Sequence, residues 1–204
     1  MQTDISYRLV LASASPARRA LLKAAGIDVD VLVSGVDEES VEAEDAYTLS
    51  LALARMKART VAARMQSEPG VLILGCDSVL AFDGGILGKP ADADEAVKRW
   101  QAMRGRSGVL HTGHHLTDLV GGRQAEDVGT TVVHFADITD AEIEAYVATD
   151  EPLQVAGAFT IDGRGGAFVE RIEGDPGNVI GVSLPMLRRL LGELGVPITD
   201  LWRP

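Results

Sequence analysis

The chain has 204 residues, of which 46% are hydrophobic and 24% charged, so it can bury a full core as a single domain over residues 1–204. Its net charge of −11 repels long polyanions and argues against sequence-independent binding to DNA or RNA. No apolar run approaches the roughly 18 residues of a membrane span, and a single cysteine, Cys76, excludes an internal disulfide, so we expect a cytoplasmic protein without a membrane contact.

A strand followed by a serine-lined helix start is the first feature of the chain. Leu9–Ala12 predict the strand, and Ser15 with Pro16 fits the N-cap and first position of a helix. Free backbone N–H groups at such a helix start, together with Arg18 and Arg19, attract anions. The pattern predicts a phosphate site, although a plain helix cap is an alternative reading of the same residues.

The next segments surround two carboxylates that are candidates for chemistry. Val29–Val33 predict a strand, and an acidic loop that includes Glu38 follows it. The helical spacing of apolar residues predicts a long helix over Ala46–Arg64. Val71–Leu74 form a continuous apolar run typical of a central buried strand, and this strand is expected to end at Asp77.

The remainder of the chain alternates between strands, hairpins and helices. The predicted elements are a hairpin turn at Asp83–Gly85 between Val79–Phe82 and Ile86–Leu87, a helix over Asp92–Met103, strands around Leu110–Thr112 and His115–Thr117, a hairpin at Gly121–Gly122, a capping-box helix over Asp140–Ala148, apolar segments Val155–Ile161 and Ala167–Ile172, and a last helix over Pro185–Leu194. Because long helices are interleaved with hairpins, we expect an α/β fold with a mixed sheet.

Asp77 is the strongest candidate for catalysis. A carboxylate directly after four apolar strand residues lies either at the exposed end of the sheet or in a buried pair, because an unpaired buried charge is very costly. Strand ends carry the active sites of open α/β sheets, whereas a turn or capping aspartate is the structural alternative. Lys89 has fewer structural explanations, since its neighbours Gly88 and Pro90 form a rigid turn. Composition alone assigns Glu38 to a solvated loop and Lys57 to a helix surface.

Four segments occur in the order and spacing of the Maf family, namely Gly75–Val79, Gly88–Pro90, Tyr146–Leu153 and Phe168–Asp175. The sequence therefore resembles the Maf-type nucleoside triphosphate pyrophosphatases from about Arg8 to Gly195. The resemblance implies a mixed twisted sheet with flanking helices and two lobes around a cleft, similar to the inosine-triphosphate pyrophosphatases. It also implies a homodimer.

The same resemblance implies hydrolysis of a nucleoside triphosphate to a monophosphate and pyrophosphate, as house-cleaning of non-standard nucleotides with a possible link to cell-division arrest. Asp77 matches the proton acceptor of the family, and Glu38 with Asp77 matches carboxylates that hold Mg²⁺ or Mn²⁺. The implied phosphate-binding residues are Ser13, Ser15, Arg18, Lys57 and Lys89. Two other functions stay open, a nucleotide-binding regulator of septum formation without turnover and a phosphatase that releases orthophosphate.

Three positions differ from the family pattern for the nucleobase. Members that prefer dTTP and UTP carry arginine, threonine and glutamine where this chain has Ala17, Ser78 and Asp162. An ionised aspartate only accepts hydrogen bonds, and guanine presents two adjacent donors. The family branch that acts on 7-methylguanosine triphosphate often has an acidic residue at this point. We expect guanine-type or broader substrates, although Asp162 also suits an ordinary turn before Gly163.

Overall fold

The computed structural model describes residues 6–203, apart from the side chain of Glu39, and this part of the chain forms one sheet of seven strands. The strands are β1 (Arg8–Leu11), β2 (Val29–Val31), β3 (Val71–Phe82), β4 (Gly85–Leu87), β5 (Ser107–Asp118), β6 (Gln124–Phe135) and β7 (Val169–Glu173). Their order is β2-β1-β3-β5-β6-β7, with β4 also paired to β3. Strand β1 runs parallel to β2 and β3, whereas the other pairs are antiparallel. The predicted mixed sheet is confirmed.

Helices flank the sheet, and two of them begin at the caps that the sequence indicates. They are α1 (Pro16–Ala24), α2 (Ala46–Ala62), α3 (Ala93–Met103), α4 (Asp140–Val147), α5 (Pro176–Ile180) and α6 (Leu184–Glu193). The Ser15 hydroxyl caps α1, and Thr139 with Glu142 forms the predicted capping box of α4. Helix α5 was not predicted, because five residues are too few for a periodic pattern. Among residues 6–203, no helix has both the length and the apolar character needed to cross a bilayer.

Strand β3 is longer than the sequence predicts. We expected one strand to end at Asp77 and a second one over Val79–Phe82, but the structure has a single strand of 12 residues. Strand β5 is likewise one strand of 12 residues and not two short ones. The two strands pair without interruption from Leu72 to Ala81 of β3. This continuous antiparallel ladder makes each of them a single long strand. Asp77 therefore lies inside a strand, and the prediction that it follows a strand end was wrong.

The other edge of β3 changes its partner half-way along. Strand β1 pairs with β3 only as far as Leu74, and β4 pairs with it only from Leu80 onwards. Between these points, residues 75–79 of β3 have no strand partner on this edge among the described residues. We call this interval the fork. Open α/β sheets bind ligands where neighbouring strands diverge, and Asp77 lies at the centre of the fork.

The two faces of β3 pack against different helices. Gly75 faces α2 so closely that a Cβ built there would collide with the carbonyl oxygen of Ala54 and lie 2.9 Å from the nitrogen of Ala58. Cys76 is fully buried in the opposite face, in a cluster with side chains of α1 and α6. Burial raises the pKa of its thiol to about 12, which fits the predicted small buried side chain. Because side chains alternate, Asp77 belongs to the α2 face and Ser78 to the α1 face.

Candidate active site

On the α2 face of the fork, one lysine joins two carboxylates. Lys57 comes from the middle of α2, and its Nζ bonds to Asp77 Oδ1 and lies 2.7 Å from Glu38 Oε1. Glu38 comes from a short 3₁₀ turn and is half exposed, whereas the side chains of Lys57 and Asp77 are only 8% and 9% exposed. The structure thus brings together three of the predicted site residues, from segments that are far apart in the sequence.

The protonation of Asp77 depends on two opposing effects. Burial raises the pKa of its carboxyl, and the positive charges of Lys57 and Arg18 lower it without cancelling the effect of burial. The carboxylate is therefore more basic than that of an exposed aspartate. A basic carboxylate with restricted access to water is suited to accept a proton in a reaction.

On the α1 face, Arg18 is buried and held by three neutral groups. Its guanidinium donates to Ser13 Oγ at 2.9 Å, to Ser78 Oγ at 3.1 Å and to the carbonyl oxygen of Gly181 at 3.0 Å. No carboxylate in the described part of the chain forms an ion pair with Arg18. A rigidly held cation without a paired anion attracts an anionic ligand.

The serine loop before α1 has its own internal hydrogen bonds. The backbone nitrogen of Ser15 donates to Ser13 Oγ at 3.2 Å, and Ser15 Oγ accepts from the backbone nitrogen of Arg18 at 3.3 Å. Ala17 is half-buried in the first turn of the helix, beside Arg18. The N-terminus of α1 and the guanidinium of Arg18 thus lie at one end of the fork, as an anion site requires.

Ser78 is connected to a chain of hydroxyl groups that sequence analysis missed. The hydroxyl of Thr112 donates to the backbone carbonyl oxygen of Asn178 at 2.8 Å. Ser78 Oγ lies 2.9 Å from Thr112 Oγ1. Because the proton of Thr112 is already donated, Ser78 donates to Thr112 and accepts from Arg18. Ser78 therefore holds the guanidinium in place. Single polar residues such as Thr112 and Asn178 have no sequence pattern that reveals this contact.

Lys89 is exposed and follows β4 at the other end of the fork. The register of β3 with β4 pairs Leu80 with Leu87, the last residue of β4, so Lys89 lies two residues beyond the end of this pairing. The Ser13–Ser15 loop, which follows β1, and the Gly88–Pro90 segment, which follows β4, thus lie at the two ends of the fork.

Asp162 lies on an exposed bend whose neighbouring residues bond to the partly buried carboxylate of Glu151. Glu151 Oε1 accepts hydrogen bonds from the Tyr146 hydroxyl at 3.0 Å, the Thr160 hydroxyl at 3.1 Å and the backbone nitrogen of Gly165 at 2.9 Å. Burial raises the pKa of this carboxyl, but its donors outweigh burial and lower the pKa overall. In the described residues no hydrogen bond connects Asp162 to Asp77. Sequence analysis missed Glu151, although its Tyr146–Leu153 segment carried part of the family resemblance.

Comparison with known proteins identifies the family of this chain. The family model described as Maf-like protein matches residues 8–194. This chain belongs to the Maf-like family. A relative from Salinispora tropica is 63% identical over 99% of this chain and 90% of its own length, and one from Microcystis aeruginosa is 51% identical over 97% and 100%. Both relatives are named nucleoside triphosphate pyrophosphatase. A relative from Streptomyces coelicolor with the same name is 59% identical over 97% of this chain and 95% of its own length.

Among solved structures, the Ham1 protein of Staphylococcus aureus matches 64% of this chain and 72% of its own, with a TM-score of 0.41 and 14% identity. The fold class rests on the strand pairing described above and not on this match. The family assignment rests on the Maf-like model and the high-identity relatives.

Proposed function

We propose that this Maf-like protein is a nucleoside triphosphate pyrophosphatase. A water oxygen attacks the α-phosphorus, the bond from this phosphorus to the oxygen bridging the β-phosphate breaks, and a monophosphate and pyrophosphate form. The observation that carries the proposal is the buried carboxylate of Asp77, which Lys57 holds beside Glu38 while Arg18 occupies the opposite face. The names of the relatives support the same reaction.

Each of the site residues has a role in this reaction. Asp77 accepts the proton of the attacking water. The substrate phosphates are held by Ser13, Ser15, Arg18, Lys57 and Lys89. Most of the catalysis of phosphoryl transfer is positioning and charge stabilisation, so cations on both sides of the fork suit the developing charge of the leaving pyrophosphate.

We assign the divalent metal, Mg²⁺ or Mn²⁺, to Glu38 and Asp77. Their oxygens converge on the single ammonium of Lys57, so a dication between them would find two carboxylates in place. Mg²⁺ takes one or two carboxylates together with substrate phosphates and waters. Among the residues described, no group of three His, Cys, Asp or Glu side chains is placed to hold a metal ion. The metal neutralises phosphate charge when it is bound.

Lys57 has a second task in this scheme. In the structure its ammonium is paired with Asp77 and Glu38, so the two carboxylates are occupied before substrate binds. A triphosphate attracts the ammonium away from Asp77 and leaves this carboxylate available for the water proton. The exchange couples binding of the nucleotide to activation of the base.

The products test the reaction. Incubated with a nucleoside triphosphate and Mg²⁺, the protein is expected to release pyrophosphate and monophosphate in equal amounts, and neither without a divalent metal. Ion-exchange chromatography of the nucleotides together with separate assays for pyrophosphate and orthophosphate identifies the products. Orthophosphate with a nucleoside diphosphate as first products would establish a phosphatase, and binding without any product would establish a non-catalytic regulator.

We propose that Ala17, Ser78 and Asp162 shape the response to the nucleobase. Ala17 replaces a long cationic side chain with a methyl group, which leaves space beside Arg18. Because the hydroxyl of Ser78 is engaged with Arg18 and Thr112, its influence on the base acts through Arg18. Asp162 is exposed and accepts hydrogen bonds only, which favours the two donors of a guanine edge.

In a panel of dTTP, UTP, CTP, GTP and 7-methyl-GTP, the wild type is expected to hydrolyse guanine nucleotides at least as well as dTTP and UTP. Asp162→Gln should shift kcat/KM toward dTTP and UTP by roughly tenfold, about the value of one hydrogen bond. Asp28→Gln, an exposed aspartate before β2, serves as control and should leave the ranking unchanged. A wild type with strong preference for dTTP and UTP, and a ranking that Asp162→Gln does not alter, would contradict the assignment.

We also propose a single domain with two lobes in a cytoplasmic homodimer. Support for the lobes comes from the apolar clusters, one packed under α1 and α6 and another under α3 and α4, with the fork between them. Analytical ultracentrifugation tests the dimer. The cellular role we infer is removal of non-standard nucleotides.

A further inference from the structure

An ion pair on α3 forms hydrogen bonds to the backbone on both sides of Lys89. Glu95 and Arg99 are one helical turn apart and bond to each other, with Arg99 Nε donating to Glu95 Oε1 at 3.0 Å. Glu95 Oε2 accepts from the backbone nitrogen of Ala91 at 2.6 Å, and Arg99 Nη1 donates to the carbonyl oxygen of Gly88 at 2.6 Å. The pair therefore binds the segment 88–91 at its first and last residues.

Several details separate this pair from an ordinary pair on a helix surface. The side chain of Arg99 is only 12% exposed. The carbonyl oxygen of Gly88 accepts a second hydrogen bond, from the backbone nitrogen of Gly157 at 3.0 Å, and Pro90 is buried. These contacts fix the geometry of the segment that they hold.

The segment matters because it carries Lys89, whose own side chain is not held. Lys89 is exposed, and no ion pair among the described residues includes it. A lysine side chain has four rotatable bonds and loses much rotamer freedom when it binds a phosphate. A backbone fixed in direction limits the space that the ammonium samples, and a pre-positioned cation binds its anion at a lower entropic cost.

We propose that Glu95 and Arg99 are positioning residues that aim Lys89 at the phosphates of the substrate across the fork. The proposal rests on the phosphate-binding role of Lys89 in the proposed function. It assigns a role in the reaction to two residues of α3 that lie outside the segments bordering the fork. Neither residue touches the substrate in this scheme, so both act only through Lys89.

A double-mutant cycle separates this role from a purely structural one. Arg99→Gln removes the charge and the two-pronged contact, and we expect kcat/KM to fall about tenfold, mostly through KM, because the contact to phosphate is weakened in the ground state. Inhibition by added inorganic pyrophosphate should weaken in parallel. In the Lys89→Ala background the same substitution should change kcat/KM less than twofold, because no ammonium is left to position.

Arg104→Gln is the matched control, since Arg104 also bonds a carboxylate and a carbonyl oxygen near the end of α3 but lies away from Lys89. It should leave kcat/KM unchanged, and the melting temperature of each variant reports folding. If Arg99→Gln does not fold, the cycle is run with Arg99→Lys, which keeps the charge and loses the forked geometry.

The possible failures are distinguishable. A Lys89→Ala variant with unchanged kcat/KM overturns the role of Lys89 in the proposed function. An impaired Lys89→Ala variant, combined with an Arg99 effect that is absent or equal in both backgrounds, overturns the positioning role alone. A reduced effect in the Lys89→Ala background supports it.

Discussion

Asp77→Asn is expected to lower kcat by at least about 10²-fold, the usual cost of losing a general base. Asparagine keeps the shape of the side chain and still accepts a hydrogen bond from Lys57, but it cannot take the proton of water. The variant should fold, because Glu38 remains as an opposite charge for Lys57 at 2.7 Å and the buried carboxylate is removed. Steady-state release of pyrophosphate measures the loss, and thermal unfolding checks the fold.

Asp83→Asn is the matched control for this experiment. Asp83 lies in the turn directly after β3 and forms an exposed ion pair with Arg106, and its positive φ of 51° is one that asparagine also tolerates. The same chemical change at this site should leave kcat within about twofold of wild type, since exposed pairs contribute little. A folded Asp77→Asn variant with wild-type turnover would show that Asp77 is not the base.

The pH profile provides a second readout of Asp77. Activity requires the ionised carboxylate, and burial raises its pKa, so the acidic limb of kcat/KM lies at a higher pH than the roughly 4 of an unperturbed aspartate. As the pH falls through this raised pKa, the carboxyl is protonated and activity is lost. The limb should be absent from the residual activity of Asp77→Asn.

Gly75→Ala is expected to destabilise the protein by about 3 kcal/mol, the upper part of the usual range for overpacking a core. The new Cβ collides with the backbone of Ala54 and lies 2.9 Å from the nitrogen of Ala58, and helix backbone cannot move as a side-chain tip can. For a domain of this size the change corresponds to about 6–12 °C in melting temperature. Because displacement of α2 also moves Lys57, kcat should fall in the fraction that folds.

Gly192→Ala serves as the control for Gly75→Ala. Gly192 lies near the end of α6, and a Cβ built there meets nothing within 4 Å. Alanine in a helix is favoured over glycine by roughly 0.5–1 kcal/mol, so the melting temperature should stay the same or rise slightly. Calorimetry compares the two variants, and an unchanged melting temperature for Gly75→Ala would mean that α2 does not pack on β3 as described.

Part of the site can be predicted from residues that are close together in the sequence. Ser15 and Pro16 determine the start of α1, because capping depends only on residues within one turn, and this places Arg18 at a helix N-terminus. The hairpin at Asp83 and Gly84 is equally local, since both residues adopt a positive φ. The same hairpin places Lys89 two residues after the end of β4. The mixed sheet was predictable from the alternation of helices and hairpins.

Contacts between distant segments had no such local signal. The sequence predicts a strand over Val79–Phe82, but nothing around Asp77 shows that it continues the preceding strand, because this continuity depends on the pairing of β3 with β5. The hydrogen bonds from Arg99 to Gly88 and from Gly165 to Glu151 likewise join residues 11 and 14 positions apart.

The sequence by itself determined the caps, the turns, the alternation of elements and the family, since each depends on residues close together or on motifs in order. Only the tertiary structure decided that β1 ends opposite Leu74 of β3 and that β4 pairs with β3 only from Leu80 onwards, which opens the fork at Asp77. Strand alternation then puts Lys57 and Arg18 on opposite faces of that opening. Such an arrangement follows from strand register and helix packing between residues 20 to 60 positions apart, and these are set by the whole core.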